Sequence, residues 1–161
     1  MRYCYICAIF KAMLQTDLYI IPSEDKSCVH RAPSAPRVLV AVRQEDFTPE
    51  AEALLQRIMQ SVRTDYYNDC ALLVLSSNTF VRYYNAVNIR NVRQFLTFGV
   101  PFSRLGLMVR ARTHVFFRFR GMKCLLAVPL VELLEEKRAG RSEKRRALWN
   151  QLQQMFELKK G

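Results

Sequence analysis

Two apolar runs separated by a helix start constrain the fold of this chain more than any other feature. The first run, residues 37–42, reads RVLVAV without polar alternation, which is typical of a parallel strand covered on both faces. Thr48 and Pro49 then supply an N-cap and a proline at the first helical position. The second run, residues 71–75, reads ALLVL. This order predicts a β-α-β unit with a right-handed crossover.

The rest of the chain continues this alternation of strands and helices. Strands are predicted at residues 95–100, 107–120 and 122–128. Two helices follow, the first opened by Pro129 and the second beginning after Ser142. The sequence therefore predicts an α/β three-layer sandwich around a central, mostly parallel sheet of four or five strands. A chain of 161 residues fits one such domain.

The N-terminal part of the chain differs from the body. Residues 22–36 are rich in proline, serine and charge, which predicts a linker between residues 1–21 and an α/β domain of residues 37–161. Apolar side chains in the first segment recur at spacings near three and four. A free helix of this size is marginal in water, so the segment must pack on the domain or on a partner. Because Met13 is a second candidate initiator, residues 1–12 either belong to the native protein or precede its true start.

The charge of the chain is unevenly distributed. The formal net charge is +11, yet residues 1–81 hold 8 basic and 9 acidic side chains, whereas residues 82–161 hold 17 and 5. Between Arg82 and Lys123 there are nine basic residues and no acid. A field of one sign attracts nucleic acid, an anionic membrane or an acidic protein.

A basic and aromatic stretch, residues 109–120, is the best candidate for a binding surface. If it forms one unbroken strand, a single face carries Arg110, Arg112, His114, Arg118 and Arg120. The guanidinium group of arginine makes bidentate hydrogen bonds to phosphates and stacks on bases, and aromatic rings add further stacking. The pattern predicts a nucleic-acid surface, with single-stranded DNA as one candidate ligand. The alternative is an edge strand with a solvated charged face.

The loops expected at the carboxyl ends of the strands, where open α/β sheets bind ligands, contain no recognisable catalytic motif. The loop after the first strand reads RQEDF and lacks the glycines of a dinucleotide-binding or phosphate-binding loop. His30 and His114 have neither a serine elbow nor metal-ligand spacing around them. We therefore predict no catalytic residue, no metal, no cofactor and no small-molecule substrate.

Cysteine usage and hydropathy bear on the compartment. The five cysteines are odd in number and lack the spacing of a disulfide framework, which indicates reduced thiols. No apolar run approaches the roughly 18–20 residues of a membrane helix, and the apolar N-terminal run lacks a signal-peptide cleavage site. We expect a cytoplasmic protein that does not contact membranes.

The order of elements and two short motifs resemble the psi subunit of bacterial DNA polymerase III. Residues 145–152, RRALWNQL, are similar to the A-L-W-Q-Q pattern in the last helix of that family. Residues 14–21, LQTDLYII, followed by a proline-containing linker and RVLVAV, resemble that family's N-terminal peptide, spacer and first strand. The resemblance covers most of the chain.

This resemblance implies a uracil-DNA glycosylase-like fold and the function of a non-enzymatic DNA replication accessory protein. In the psi family the N-terminal peptide docks on the clamp loader, and the body binds a second subunit that contacts single-stranded DNA-binding protein. The resemblance assigns the docking role to residues 9–21, with Leu14, Leu18, Tyr19 and Ile20 as anchors. The basic body departs from the family pattern and suggests direct contact with DNA or with an acidic tail.

The resemblance to glycosylases raises the alternative of an enzyme. Those enzymes carry a glycine-rich water-activating motif after the first core strand and a histidine motif near the last one. In this chain the corresponding residues 42–47 and 127–130 read VRQEDF and AVPL, so the resemblance implies a catalytically silent copy of the fold. A glycosylase-like enzyme with an unrecognised site and a stand-alone nucleic-acid-binding module are the two alternatives.

Overall fold

A computed structural model of the protein describes residues 28–158, which contain six strands and four α-helices. The strands are β1 (Val29–Arg31), β2 (Val38–Arg43), β3 (Cys70–Leu75), β4 (Gln94–Phe98), β5 (Phe117–Phe119) and β6 (Met122–Ala127). The helices are α1 (Pro49–Ser61), α2 (Tyr83–Ala86), α3 (Leu130–Arg138) and α4 (Glu143–Met155). Two short 3₁₀ helices span Gln44–Asp46 and Phe102–Leu105.

The six strands form one mixed sheet in the order β1-β3-β2-β4-β6-β5. The four inner strands pair in parallel, and β1 and β5 pair antiparallel at the two edges. The predicted α/β class is confirmed, but the sheet has six strands where four or five were predicted. The additional strand, β1, lies inside residues 22–36, the predicted linker. Three residues are too few to show strand alternation in a sequence, which explains why this edge strand was missed.

The β-α-β unit of β2, α1 and β3 forms for the local reasons that the sequence indicates. The hydroxyl of Thr48 accepts a hydrogen bond from the backbone N–H of Ala51 at 3.2 Å, and Pro49 occupies the first position of α1. Strands β2 and β3 are parallel and in register from Val38 opposite Cys70 onward. Both strands are buried on both faces, as their continuous apolar runs predict.

Helices and loops cover the two faces of the sheet unequally. Helices α1, α3 and α4 cover one face, and their apolar side chains pack on alternate residues of β2, β4 and β6. The opposite face is covered by α2, the second 3₁₀ helix and the loops around them. Aromatic rings run through this second layer, because Tyr83, Phe95, Phe102 and Phe117 form successive pairs with centroids 5.3 to 5.4 Å apart.

Residues 107–120 do not form the single strand that their alternation predicts. Only Phe117–Phe119 pair with β6 as a strand. Upstream, Thr113 makes an isolated bridge to Leu126, and the backbone N–H of Val115 bonds to the carbonyl of Arg112. His114 lies within this turn with a φ of 57°, which breaks the strand geometry. The alternation of side chains therefore does not translate into one face.

The predicted docking segment, residues 1–21, lies outside the described residues, as do its anchors Leu14, Leu18, Tyr19 and Ile20. Between residues 28 and 158, no helix is both long enough and apolar enough to cross a bilayer.

Candidate nucleic-acid interface

The part of the chain without acidic residues forms most of one layer of the structure. Residues 70–131 contain no Asp or Glu. They supply β4, β5, β6 and the α2 layer, whereas the carboxylates of α1, α3 and α4 lie on the helical layer. The excess positive charge of the sequence is therefore concentrated on the α2 side and at the β5 edge of the sheet.

Six arginines of this stretch are exposed and form no ion pair within 4.0 Å of a carboxylate among residues 28–158, although the charge of Arg118 acts on Glu157: Arg90, Arg93, Arg110, Arg112, Arg118 and Arg120. In the helical layer, by contrast, Arg138 pairs with Glu50 and Lys144 pairs with Glu132, each at 2.5 Å. The N–H donors of an exposed guanidinium that is not ion-paired are available for bidentate hydrogen bonds to an external phosphate.

The structure places the predicted site arginines in three different local elements instead of one strand. Arg110 and Arg112 lie in the loop that precedes the turn at His114. Arg118 is the exposed middle residue of β5, flanked by two half-buried phenylalanines that pack toward the α2 layer. Arg120 lies in the tight turn between β5 and β6. The unbroken strand on which a single arginine face depends does not form, and all four arginines are exposed.

His114 is a half-buried neighbour of the helical layer and not a member of an arginine surface. Burial lowers its pKa, and the nearest charges that act on it are those of Glu136, Lys144 and Glu132. Its backbone N–H donates to the carbonyl of Leu126 at 2.8 Å. Its Nε2 atom is buried without a hydrogen-bond partner among the described residues. A neutral ring in this position does not add to the charge available for a phosphate.

We use the name amino-edge cluster for five residues at or near the beginnings of β4 and β6 or in the helix that packs on β4: Tyr84, Arg90, Arg93, Phe119 and Arg120. Arg93 directly precedes β4, and its carbonyl accepts the backbone N–H of Lys123 at 2.8 Å, near the start of β6. The guanidinium of Arg120 lies 5.6 Å from the ring centroid of Phe119. Burial raises the pKa of Tyr83, next to Tyr84 in α2, and the charge of Arg120 opposes that shift.

Of this cluster, sequence reasoning identified only Arg120 as a site residue and missed Tyr84, Arg90, Arg93 and Phe119. The two arginines were counted within the acid-free stretch, but no strand or helix pattern connects them with Arg120. The parallel pairing of β4 and β6 places the beginnings of both strands at the same edge, and with them Arg93 and the turn that holds Arg120. The adjacent tyrosines at positions 83 and 84 were the only available signal, since two large rings in sequence on a helix of four residues cannot both be buried easily.

Arg104, another base of the acid-free stretch, has a structural role. Its guanidinium donates to the carbonyl oxygens of Ser76 and Thr79, with the Nε atom 3.1 Å from the latter. These carbonyls belong to the loop after β3. Arg104 thereby ties the second 3₁₀ helix to that loop, and its donors are occupied within the fold.

The carboxyl edge of the sheet is filled by an ion pair where β2 and β4 lie side by side. Arg43 ends β2, and its Nε atom donates to the carboxylate of Asp46 at 2.5 Å. Asp46 is 7% exposed, and its hydrogen bond raises the pKa of Arg43. The guanidinium lies over Gly99, where an added Cβ would be 3.2 Å from the Nε atom of Arg43 and 2.7 Å from Pro129. This pair therefore occupies the crevice where ligands of α/β sheets bind.

Within residues 28–158, no three His, Cys, Asp or Glu side chains are grouped so that they could hold a metal ion. No protein-family model matches the chain, and no curated protein matches its sequence. The candidate interface therefore rests on the charge and geometry of the arginines and of the amino-edge cluster.

Proposed function

We propose that this protein is a non-enzymatic DNA replication accessory protein similar to the psi subunit of bacterial DNA polymerase III. In this proposal residues 9–21 dock on a clamp-loader subunit, and the exposed arginines of residues 82–123 contact DNA. The replication assignment depends on the sequence resemblance. The DNA contact is supported by a single observation, the six exposed arginines that form no ion pair with a carboxylate among the described residues.

The uracil-DNA glycosylase-like fold is part of the same proposal. Its support is the resemblance together with four parallel inner strands that carry layers on both faces. In the loop that corresponds to the water-activating motif of the glycosylases, Asp46 is bound by Arg43. The carboxylate of Asp46 is therefore already engaged by the guanidinium at the end of β2. This contact supports a role in binding over one in base excision.

The DNA contact is tested with arginine variants matched for charge. We would titrate labelled single-stranded and duplex oligonucleotides at several salt concentrations with the wild-type protein and with one triple variant. This variant carries Arg110→Ala, Arg112→Ala and Arg120→Ala together. Each lost phosphate contact lowers the salt slope by about 0.7–0.9, so the variant should bind more weakly with a flatter dependence. The control replaces Arg57, Arg141 and Arg146, three exposed bases outside the acid-free stretch, by alanine. Equal affinity of both variants would overturn the assignment of the surface.

The docking role is tested in the full chain. A purified bacterial clamp-loader complex is passed over immobilised wild type, and over a Leu14→Asp, Leu18→Asp variant that places charges in the predicted apolar anchors. The proposal expects retention by wild type and its loss in the variant. Retention by both would contradict the anchor assignment, and retention by neither would contradict the replication role. Release of uracil from uracil-containing DNA by the wild type would favour the enzyme alternative.

A further inference from the structure

Tyr84 is a large aromatic side chain that lies at the surface against a buried ring. Tyr84 is one of four large hydrophobic residues that are exposed among residues 28–158, and 45% of its area is accessible to solvent. Its ring meets Tyr83 edge to face, with centroids 5.3 Å apart and planes at 83°. Tyr83 is buried and packs on Phe95. A ring packed in this way loses little conformational entropy when a flat ligand stacks on it.

The turn between β5 and β6 presents Arg120 at an energetic cost. Phe119 pairs with Met122, so Arg120 and Gly121 form a two-residue hairpin loop. Both have positive φ values, 45° and 80°, as a type I′ turn requires. The first position of such a turn favours Asn, Asp or Gly, and an arginine there is strained. The side chain that occupies this strained position is exposed, and it lies near the face of the Phe119 ring.

Exposed arginines complete the amino-edge cluster. Arg90 and Arg93 lie just before β4, and neither has a carboxylate partner within the described part of the chain. The cluster thus combines a preorganised ring with three free guanidinium groups. Proteins that bind single strands use this combination, since cations follow the phosphates and rings stack on the bases. A duplex cannot use the ring, because its bases are already stacked and paired.

We propose that the amino-edge cluster binds single-stranded DNA, with a base stacked on Tyr84 and phosphates held by Arg90, Arg93 and Arg120. This inference rests on the proposed function and specifies its ligand. It also separates two contributions to affinity, because stacking depends on the ring and only weakly on salt, whereas the guanidinium contacts depend strongly on salt.

The experiment compares a labelled oligo(dT) of about 20 nucleotides with a duplex of the same length by fluorescence anisotropy, at low salt where the phosphate contacts are strongest. Tyr84→Ala is expected to weaken oligo(dT) binding about tenfold, to leave the salt slope unchanged and to leave duplex binding unchanged. Tyr84→Phe should retain wild-type affinity. Tyr84→Leu, which keeps an apolar contact with Tyr83, should behave like the alanine variant. The matched control is Tyr67→Ala, which removes another exposed ring, 60% accessible, from the loop before β3, where its centroid lies 5.0 Å from the guanidinium of Arg31.

Arg120→Asn provides an independent test. Asparagine suits the turn, so this variant should unfold at the same or a higher temperature than wild type while binding oligo(dT) more weakly, with a salt slope lower by about 0.7. If Arg120→Asn weakens binding but Tyr84→Ala and Tyr84→Leu do not, the stacking inference is overturned and the proposed DNA contact stands. Equal losses on oligo(dT) and duplex in Tyr84→Ala also overturn it. If wild type binds neither DNA at low salt, both proposals fail.

Discussion

The carboxylate of Glu136, in α3, accepts the backbone N–H of Lys144 at 2.6 Å and so caps the first turn of α4. Its second oxygen accepts the backbone N–H of Arg145 at 3.0 Å. Ser142, the residue before α4, makes no side-chain cap of its own. The free N–H groups at a helix start need acceptors, and here the preceding helix supplies them. A negative charge at this end also complements the helix dipole.

Loss of this cap should lower stability in a pH-dependent way. Burial by itself raises the pKa of Glu136, but the two N–H donors and Arg145 outweigh it and hold the pKa below 4.5. The stabilisation is therefore complete above that value and is lost as the pH falls through the folded-state pKa. We expect Glu136→Gln to lower the melting temperature by a few degrees at pH 7 and by less at pH 3.5, while the exposed Glu135→Gln changes neither. Equal melting temperatures at pH 7 would contradict the capping role.

Local signals in the sequence account for much of the fold, and tertiary contacts account for what was missed. The α1 start was predictable because Thr48 bonds to a backbone N–H only three residues away. The cap of α4 comes from Glu136 in another helix, and no spacing rule reveals it. The arginine alternation failed for a similar reason. The turn at His114 is held by Leu126 and by Gln151, whose side chain accepts the N–H of Phe116, and these contacts exist only in the folded chain.

Gly99 should tolerate substitution less well than Gly140. Both have left-handed φ values, 68° and 69°, so alanine at either position incurs backbone strain of about 1–2 kcal/mol. An added Cβ at Gly99 would lie 2.7 Å from Pro129, whereas nothing lies within 4 Å at Gly140. We expect Gly99→Ala to lower the free energy of unfolding by at least about 1 kcal/mol more than Gly140→Ala, as measured by urea denaturation. Equal losses would show that Pro129 moves aside without cost.

His114 should make stability depend on pH between neutrality and mild acid. Burial lowers its pKa from 6.5 in the folded state. The unfolded chain therefore takes up a proton at a higher pH than the folded chain, and stability is lost as the pH falls from about 6.5 through the folded-state pKa. His114→Asn removes the titrating ring and tolerates the positive φ. Thermal melts from pH 8 to pH 5 should show a smaller decline for this variant, and parallel declines would contradict the assignment.

We expect Arg104 to contribute to stability and not to DNA binding. For Arg110 we expect the reverse. The planar guanidinium of Arg104 reaches the carbonyls of Ser76 and Thr79 at once, and a lysine ammonium cannot reproduce that fork. Because hydrogen bonds to a charged group contribute about 1.5–3 kcal/mol each, Arg104→Lys should lower the free energy of unfolding by roughly 2 kcal/mol. Arg110→Lys, at an exposed position, should leave the free energy of unfolding unchanged.

Oligo(dT) affinity measured on the folded protein should be the same for Arg104→Lys and wild type. A stable Arg104→Lys protein that had lost its DNA affinity would place Arg104 in the interface instead.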